Sequence, residues 1–417
     1  MIKTVLAIIF LHTAVISPAQ IPDSSKIRSE ADSLNKKFIK IDSVAQPARP
    51  VMADTVSAVD ETGKLLKGSS GIYPTGDLRS VDGLFLGIGY KTANNENSQS
   101  ERSFIHKVAL MKNLKSEAIQ FKFNTQWPSL FRNTDLNIDG FADWKGNILN
   151  YFGRGNETKF DESLDFRTFY RVKFSLFQLD PSFRFNFSEQ LKLSIGPSLQ
   201  YFKFDPADNT GRFINDQLIR AEYEQLQDDK FHGGLIMFLS FDKRNDRLLP
   251  SRGLNFSILN QAYTGFNGSS NSFFQVFPQV SFYKALDSRA RFVLAERLGA
   301  GITTGDTEFY QSAFLGSQDN LLGYRKFRFA GDHLAYNNLE LRITALDIRS
   351  KRRPWKAGLI GFYDIGRVWI KNETSGTIHQ GYGGGLFLAP LNKILLRAVA
   401  GFSNERMQIT AAVRQRF

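Results

Sequence analysis

The chain has 417 residues and a formal charge of +12, and it contains no cysteine. The absence of cysteine excludes disulfides, thiolate metal sites, cysteine nucleophiles and lipidation at an N-terminal cysteine. Aromatic residues make up 13% of the chain, with 38 phenylalanines, which is typical of proteins whose aromatics line a membrane interface. The basic residues are spread along the whole chain, so they predict no nucleic-acid partner.

Residues 1–19 have the pattern of a secretory signal peptide. Lys3 supplies a positive start, residues 5–16 form a short apolar run, and Ser17 and Ala19 are small residues ahead of a cut before Gln20. An uncleaved anchor is the weaker alternative, because a spanning helix needs about 20 apolar residues. No later segment approaches that length, and we expect no membrane helix in the exported protein.

Residues 20–80 are predicted to form a periplasmic leader. Serine, aspartate, lysine and proline dominate this stretch, and large apolar residues are few, so it cannot bury a useful core. Residues 25–45 could form one short helix. Residues 46–55 and 65–77 contain the proline and glycine of a linker.

From Leu84 onward apolar and polar residues alternate with a period of two. Runs of about ten residues that alternate in this way and end at turn residues indicate the strands of a transmembrane barrel. We predict strands at 84–91, 103–112, 118–127, 134–144, 147–155, 166–187, 190–204, 231–243, 253–264, 272–286, 289–301, 333–347, 356–370, 378–389, 393–402 and 406–417.

These segments predict an all-β fold, a sixteen-stranded antiparallel transmembrane β-barrel over residues 81–417. An even strand number returns the chain to the side where it entered. Short connections such as 113–117 are assigned to the periplasmic side, and the long ones at 92–102, 205–230 and 302–332 to the outer side. A soluble sandwich would also alternate, but it rarely needs sixteen strands in one run.

The last predicted strand has two distinct faces. The apolar face, which we expect to contact lipid, consists of Met407, Ile409, Ala411, Val413 and Phe417, interrupted by Gln415. The luminal face consists of Arg406, Gln408, Thr410, Ala412, Arg414 and Arg416. The opposite register would place arginine at lipid mid-depth, at a cost of about 2–4 kcal/mol. The terminal Phe417 resembles the signal that outer-membrane barrels present to their insertion machinery.

Four stretches resemble the BamA/TamA-type superfamily of sixteen-stranded outer-membrane barrels, also called the bacterial surface antigen family. They are "YFGRGNET" at 151–158, "FDKRNDRLLPSRG" at 241–253, "FLGSQDNLLGYRKFRFAGD" at 314–332, and "NLELR" with "GFYDIGRVW" at 338–342 and 361–369. In the second stretch the family element falls on Asp242, Arg244, Pro250, Arg252 and Gly253. The order and spacing of the four stretches carry the resemblance over about 335 residues.

The resemblance implies that the sixth outer loop folds back into the lumen. There an arginine of the loop tip would meet acidic residues on the inner wall. Carried over, the tip is Leu321, Leu322, Gly323 and Tyr324, the acids are Glu340 and Asp364, and Asp364 lies in the family pattern with Phe362 and Gly366. Leu322 occupies the arginine position, and Ser317 replaces a common glycine.

The missing arginine leaves two luminal carboxylates without a cation, and such groups repel each other. We therefore expect Arg325 or Arg328, a few residues further on, to supply the charge through a charge-assisted contact. The alternative is that packing of Tyr324 and Phe327 alone holds the loop.

Other motifs predict no metal, cofactor or enzymatic activity. "DLNIDG" at 135–140 begins like a calcium loop, but Gly146 stands where the glutamate is needed. "GYGGGL" at 381–386 has no Lys-Ser/Thr for a phosphate loop. The histidines lack metal spacing and no Gly-x-Ser-x-Gly turn occurs. A rim hydrolase stays an unsupported alternative. The Asn156 sequon is assigned no role.

The cluster "IRSKRRPWK" at 348–356 is strongly basic. We interpret it as a solvated periplasmic turn. The alternative is contact with anionic lipid headgroups or an acidic partner.

The expected location is the bacterial outer membrane, with a monomeric barrel surrounded by lipopolysaccharide and phospholipid. The resemblance implies a role in assisting protein or lipid insertion or translocation. Relatives of that kind carry periplasmic POTRA modules, and residues 20–80 are too short and polar for one, so a separate periplasmic or assembly-machinery partner is implied. The alternatives are a plugged anion-leaning pore, favoured by Arg406, Arg414 and Arg416, and a membrane anchor for a separately encoded enzyme.

Overall fold

The computed structural model describes residues 70–79, 83–94, 103–216, 225–350, 353–413 and 415–417. The predicted signal peptide and residues 20–69 of the predicted leader lie outside the described residues. Within the described ranges, no helix is both long enough and apolar enough to cross a membrane.

Sixteen strands form one antiparallel sheet in which each strand pairs with the next along the chain. They are β1 (Gly71–Arg79), β2 (Gly83–Asn94), β3 (Phe104–Asn113), β4 (Ile119–Phe131), β5 (Thr134–Asn150), β6 (Arg171–Asn186), β7 (Leu191–Lys203), β8 (Lys230–Asp242), β9 (Arg252–Gly265), β10 (Phe273–Ala285), β11 (Phe292–Gly305), β14 (His333–Ile348), β15 (Trp355–Trp369), β16 (His379–Pro390), β17 (Leu396–Phe402) and β18 (Gln408–Ala412).

The connection between β11 and β14 contains its own small sheet. Two short strands, β12 (Ala313–Leu315) and β13 (Phe329–Gly331), pair with each other there. The helical elements of the described residues are single turns: α1 (Phe166–Phe169), α2 (Ser317–Asn320) and three 3-10 turns at Ala207–Asn209, Phe213–Asn215 and Phe309–Gln311.

Alternation along the strands separates an apolar outer face from a mixed inner face. On β15, Ile360, Phe362 and Asp364 are buried. Their neighbours Leu359 and Tyr363 are 49% and 43% exposed. Successive side chains of a strand point to opposite faces, so the exposed apolar residues form the outer wall. An apolar outer wall around a more polar interior is the arrangement of a transmembrane barrel.

The sheet curves so that distant strands meet across one rim. The β5–β6 connection contains Asn156, whose side chain donates to the Thr377 carbonyl at 2.9 Å and accepts from the Val368 N–H at 3.1 Å. Yet β5 and β15 stand fifth and thirteenth in the sheet order. Contacts between opposite walls show a barrel. Among the described residues, no ladder of hydrogen bonds joins β1 to β18.

The sheet has the predicted number of sixteen strands, although the prediction is wrong at β1 and at β5. The first strand, β1, starts at Gly71, inside the region predicted as leader, so the barrel does not begin at 81. The predicted strands 134–144 and 147–155 form the single strand β5. A register shift between Asp143 and Asn147 disturbs its ladder, and Lys145 has a φ of 49°. The two errors cancel in the strand count.

Because β1 was not predicted, the connections that follow β2 and β3 were assigned to the wrong sides of the membrane. The terminal rim is the barrel end where β1 begins and β18 ends, and the loop rim is the opposite end. The long connections 151–170 and 306–332 lie at the loop rim, and β7 ends and β8 begins there, which makes the terminal rim periplasmic. β2 therefore ends and β3 begins at the terminal rim, and residues 114–118 lie at the loop rim, the reverse of the prediction.

Aromatic side chains pack inside the barrel next to β5, β6 and β7. Phe309 and Tyr310, from the connection after β11, pack against Tyr151, Phe174 and Phe202 on the inner faces near β5, β6 and β7. The rings of Phe202 and Tyr310 stack with their centroids 4.4 Å apart. Burial of this much aromatic area is strongly favourable, and it leaves the described interior packed next to these strands.

Candidate functional site

Residues 306–332, here called the inner loop, fold into the barrel. Its tip is buried, with Leu321, Leu322 and Tyr324 at most 3% exposed. Gly323 has a φ of +94°, and a Cβ there would lie 2.6 Å from the Phe402 carbonyl oxygen. Only glycine accepts both the positive φ and this close approach, so the sequence fixes the conformation of the tip.

The tip docks on the β17–β18 hairpin through polar contacts. The Tyr324 hydroxyl donates to Asn404 Oδ1 at 2.7 Å. The Ser403 hydroxyl donates to the Gly323 carbonyl at 2.9 Å. The hairpin that carries the final strand of the sheet is thus tied directly to the inner loop.

Two carboxylates face the tip from neighbouring strands. Glu340 on β14 and Asp364 on β15 are both fully buried. Asp364 accepts the backbone N–H of Leu322 at 2.8 Å. It also accepts both arms of the Arg416 guanidinium, at 2.9 and 2.6 Å. Such a bidentate, charge-assisted pair is among the stronger polar contacts in proteins.

Glu340 has its own cations. Arg397 on β17 donates to it at 2.7 Å, and the Arg342 Nε lies 3.2 Å away. The Gln415 side-chain amide adds a longer contact at 3.4 Å. Each buried charge therefore has an opposite charge beside it, as burial of ions requires.

The prediction that Arg325 or Arg328 supplies the missing charge is wrong. Arg328 donates to the hydroxyl and carbonyl of Thr158 at 2.8 and 2.6 Å and pairs with Glu405. The Arg325 guanidinium stacks over the rings of Phe160 and Phe166, 4.4 and 4.6 Å from their centroids. Both side chains point to the loop rim, because the chain after Gly323 runs back out of the barrel.

The alternative that Tyr324 and Phe327 hold the loop by packing alone also falls short. Phe327 packs on Phe314 of the same loop, with ring centroids 4.9 Å apart. The bond from the Leu322 N–H to Asp364 and the contacts of Tyr324 with the hairpin are polar. The loop is therefore held by packing and by polar anchors together.

The cation at Asp364 comes from Gln415–Phe417, here called the inner segment. Phe417 is 7% exposed and lies against Tyr283 and Ala295. The prediction that Phe417 faces lipid is wrong, whereas Ile409, on the same predicted face, is 68% exposed. The buried pair at Asp364 draws the inner segment off the outer wall, and the Arg297 guanidinium lies over the Phe417 ring at 4.8 Å.

Arg297 on β11 was missed by the sequence reasoning. It donates to Asn338 Oδ1 at 2.9 and 2.7 Å, to the Arg416 carbonyl at 3.3 Å, and to the Asp319 carbonyl. It thus joins β14, the inner segment and the inner loop. The alternation along β11 places residue 297 on the inner face of the barrel. An arginine buried there requires several partners, and the sequence could have identified it on this ground.

The 151–158 stretch closes the loop rim. Gly155 donates its N–H to the Ala330 carbonyl at 2.8 Å, and Arg154 pairs with Asp332. Asn156, fully buried, donates to Ser375 Oγ at 2.8 Å and its N–H binds the Glu373 carboxylate at 2.8 Å. The sequence reasoning gave Asn156 no role, but the structure makes it a joint between opposite walls.

The 241–253 stretch forms a turn at the terminal rim. Asp242 accepts both arms of Arg244 at 2.8 Å. Pro250 is buried, Arg252 is exposed, and Gly253 has a φ of +115° with Lys243 O only 2.2 Å from a would-be Cβ. These contacts shape the turn.

Two further motif residues support the inner loop. Phe362 belongs to the apolar cluster that surrounds Leu322. A Cβ on Gly366 would lie 2.9 Å from Leu315 Cδ1, so glycine leaves room for β12. Within the described part of the chain, no group of three or more side chains could hold a metal ion.

The curved sixteen-stranded sheet, its apolar outer wall and its buried inner loop define an outer-membrane β-barrel protein of bacteria. Residues 95–390 match the Omp85 superfamily domain, and the chain belongs to this superfamily. The expected membrane location is thereby confirmed. No curated protein matches the chain.

A solved structure with the same fold is that of a shortened BamA. BamA from Haemophilus ducreyi lacking POTRA domains 1–3 is 14% identical with a TM-score of 0.59, and the match covers 96% of this chain and 80% of that one. CdiB from Escherichia coli is 11% identical over 82% of this chain and 61% of that one, with a TM-score of 0.49. CdiB from Acinetobacter baumannii is 13% identical over 83% and 65%, with a TM-score of 0.45.

Proposed function

We propose that the protein assists the insertion or translocation of proteins or lipids at the outer membrane, and that it does so at the edge between β1 and β18. The observation that carries the proposal is the state of this edge. The last strand, β18, has only five residues, Gln408–Ala412. Beyond Val413 the inner segment turns into the barrel and binds Asp364.

An edge strand without a ladder to a neighbouring strand presents backbone N–H and C=O groups along its outer side. Such an edge accepts another strand by β-augmentation. In β1, Pro74 removes one donor, which weakens this edge further. A client strand can therefore pair here at little cost to the rest of the sheet, whose other strands are joined by long ladders.

The pore alternative has less support. Arg406 and Arg416, which would favour anions in an open lumen, are paired with Glu162 at 2.5 Å and Asp364 at 2.6 Å. Arg414 lies outside the described residues. Aromatic packing of Phe202 and Tyr310 fills part of the bore. Conduction would require this packing to be displaced. No feature of the described residues favours an enzyme anchor.

The test uses a covalent lock on the proposed edge. The chain has no cysteine, so Ile72→Cys/Ile409→Cys introduces one reactive pair on outward side chains that are 78% and 68% exposed. A flexible bismaleimide would then join β1 to β18. The matched control is Tyr382→Cys/Phe402→Cys, which links two residues already paired between β16 and β17.

The protein is reconstituted in liposomes, and the folding of an added unfolded barrel client is followed by its heat-modifiable mobility. We expect wild type to accelerate client folding, the β1–β18 link to abolish the acceleration, and the control link to leave it intact. Equal folding with and without the protein contradicts the proposal. A stable anion-selective current in a planar bilayer, with no effect on clients, supports the pore instead.

A further inference from the structure

We propose that the barrel has a binding site for a phosphate ester at its terminal rim. A cavity of about 420 Å³ opens there between four connections, and the connection residues that line it lie in 245–251, 289–291 and 349–350 and at Pro354 and Asn392. Its volume is in the range of small-molecule sites. It lies at the periplasmic mouth of the barrel, apart from the β1–β18 edge, and its existence does not depend on the proposed insertion role.

The cavity has a pronounced excess of positive charge. Its lining contains two acidic side chains, Asp246 and Asp347, and five cationic ones, an excess of three positive charges. The five are Arg289, Arg291, Arg342, Arg349 and Lys356. Cations from separate turns that converge on one concave space repel one another unless an anion joins them, so the chemistry of the lining selects a polyanionic group.

The excess of three remains after both acids have been counted. Asp246 is used by the turn itself, where it accepts the N–H groups of Leu248 and Leu249 at 2.7 and 2.9 Å. Asp347 pairs with Arg349 at 2.9 Å. Within the described chain, the guanidinium groups of Arg289 and Arg291 form no ion pair.

A buried donor at the inner end of the cavity supports the same ligand. Arg342 is 3% exposed, and its Nη2 has no hydrogen-bond partner among the described residues. Its Nε lies 3.2 Å from a Glu340 carboxylate oxygen but likewise makes no hydrogen bond. A buried guanidinium donor seldom stays unfilled in a protein, and an anionic oxygen in the cavity would satisfy it.

The shape and lining favour a phosphate ester over a peptide carboxylate. A phosphate monoester offers up to two negative charges and three acceptor oxygens to several arginines at once. A carboxylate offers one charge and two oxygens. The buried side chains of Val293 and Phe387 also line the cavity, and they would contact the organic part of the ester. A lipid headgroup and a soluble ester share this chemistry.

The test compares two double variants of the full-length protein in phosphatidylcholine nanodiscs. Arg289→Gln/Arg291→Gln removes two exposed cations of the cavity whose guanidinium groups form no ion pair within the described chain. Lys243→Gln/Lys393→Gln removes the same charge from exposed positions on the same rim that do not line the cavity. Binding of pyrophosphate and glycerol 3-phosphate is measured by calorimetry, and nanodiscs containing phosphatidic acid are compared by thermal shift.

We expect saturable binding that weakens about tenfold for each lost guanidinium contact in the first variant and is unchanged in the second. A response to soluble esters identifies a soluble ligand, and a response to phosphatidic acid alone identifies a lipid headgroup. The proposal is overturned if wild type binds none of these probes or if both variants lose the same affinity. It is also overturned if an oligoglutamate peptide binds where pyrophosphate does not.

Discussion

Arg416 and Asp364 form a two-armed ion pair inside the barrel, at 2.9 and 2.6 Å, with both side chains at most 3% exposed. The same carboxylate accepts the N–H of Leu322 at the tip of the inner loop. One aspartate therefore connects the inner loop, β15 and the inner segment. The pair ties the loop to the edge of the sheet that we propose to be functional.

Replacing Arg416 should release the inner segment. Arg416→Gln leaves Asp364 buried without its cation, and loss of one partner from a buried pair costs about 3–5 kcal/mol. We expect a lower melting temperature in detergent and faster proteolysis after Ala412. The double variant Asp364→Asn/Arg416→Gln removes both charges and should be more stable than Arg416→Gln alone. Equal stability of the two variants would show that the pair contributes little.

An arginine placed at 322 should substitute for Arg416. The Leu322 N–H is already 2.8 Å from Asp364, so a long cationic side chain at 322 starts close to the carboxylate. Leu322→Arg alone crowds the apolar cluster with Phe362 and Phe387, at a cost of about 1–3 kcal/mol.

In the exchange variant Leu322→Arg/Arg416→Leu, the new cation has a partner. We expect the exchange to be less destabilised than the sum of its two single variants, with a coupling of about 1 kcal/mol or more. Chemical unfolding of all four proteins measures it. Strict additivity would mean that residue 322 cannot reach the acid.

Phe417 should contribute to the folded barrel as a buried side chain. It packs on Tyr283 and under Arg297, and truncating a buried phenylalanine costs about 3–5 kcal/mol. Phe417→Ala should therefore lower the stability of purified, refolded protein, while Ile409→Ala on the lipid face should have a smaller effect. A variant that is as stable as wild type in vitro but depleted from cells would point to a signal role alone.

Asn156 should hold the loop rim together. Asn156→Ala leaves the buried Val368 N–H without its acceptor, at about 1–3 kcal/mol for a group left buried and unsatisfied, and it removes the donor to the Thr377 carbonyl. We expect faster hydrogen exchange at Val368 and cleavage in 370–378 by protease added to intact cells. Asn271→Ala, at an exposed position in another loop of the same rim, is the control. If hydrogen exchange and proteolysis in Asn156→Ala are the same as in wild type, Asn156 does not hold the two walls together.

The period-two pattern predicts most strands because lipid outside and packing inside place opposite demands on successive residues. The pattern did not predict β1. Its Pro74 and two glycines, at 71 and 76, are typical of a linker, yet proline is tolerated on an edge strand. β5 is divided by the irregularity near Lys145, which interrupts the alternation without ending the strand.

The site was harder to predict than the strands. The acids at 340 and 364 were identified through the resemblance, and the parity of the last strand placed Arg416 on the inner face. What the sequence could not supply is the departure of 415–417 from the sheet, because it depends on contacts with Tyr283 and Arg297 far along the chain. Arg325 and Arg328 were predicted because they are close to the tip in sequence. The chain after Gly323 runs back out of the barrel, so neither side chain reaches Asp364.

The tip of the inner loop meets its acid through a peptide N–H and not through a side chain. Every amino acid except proline carries that donor, so most codon changes at 322 leave the anchor in place. Position 322 therefore requires no charged side chain, and it can accept different side chains that fit its apolar surroundings. Substitution by proline is the change at 322 that removes this donor.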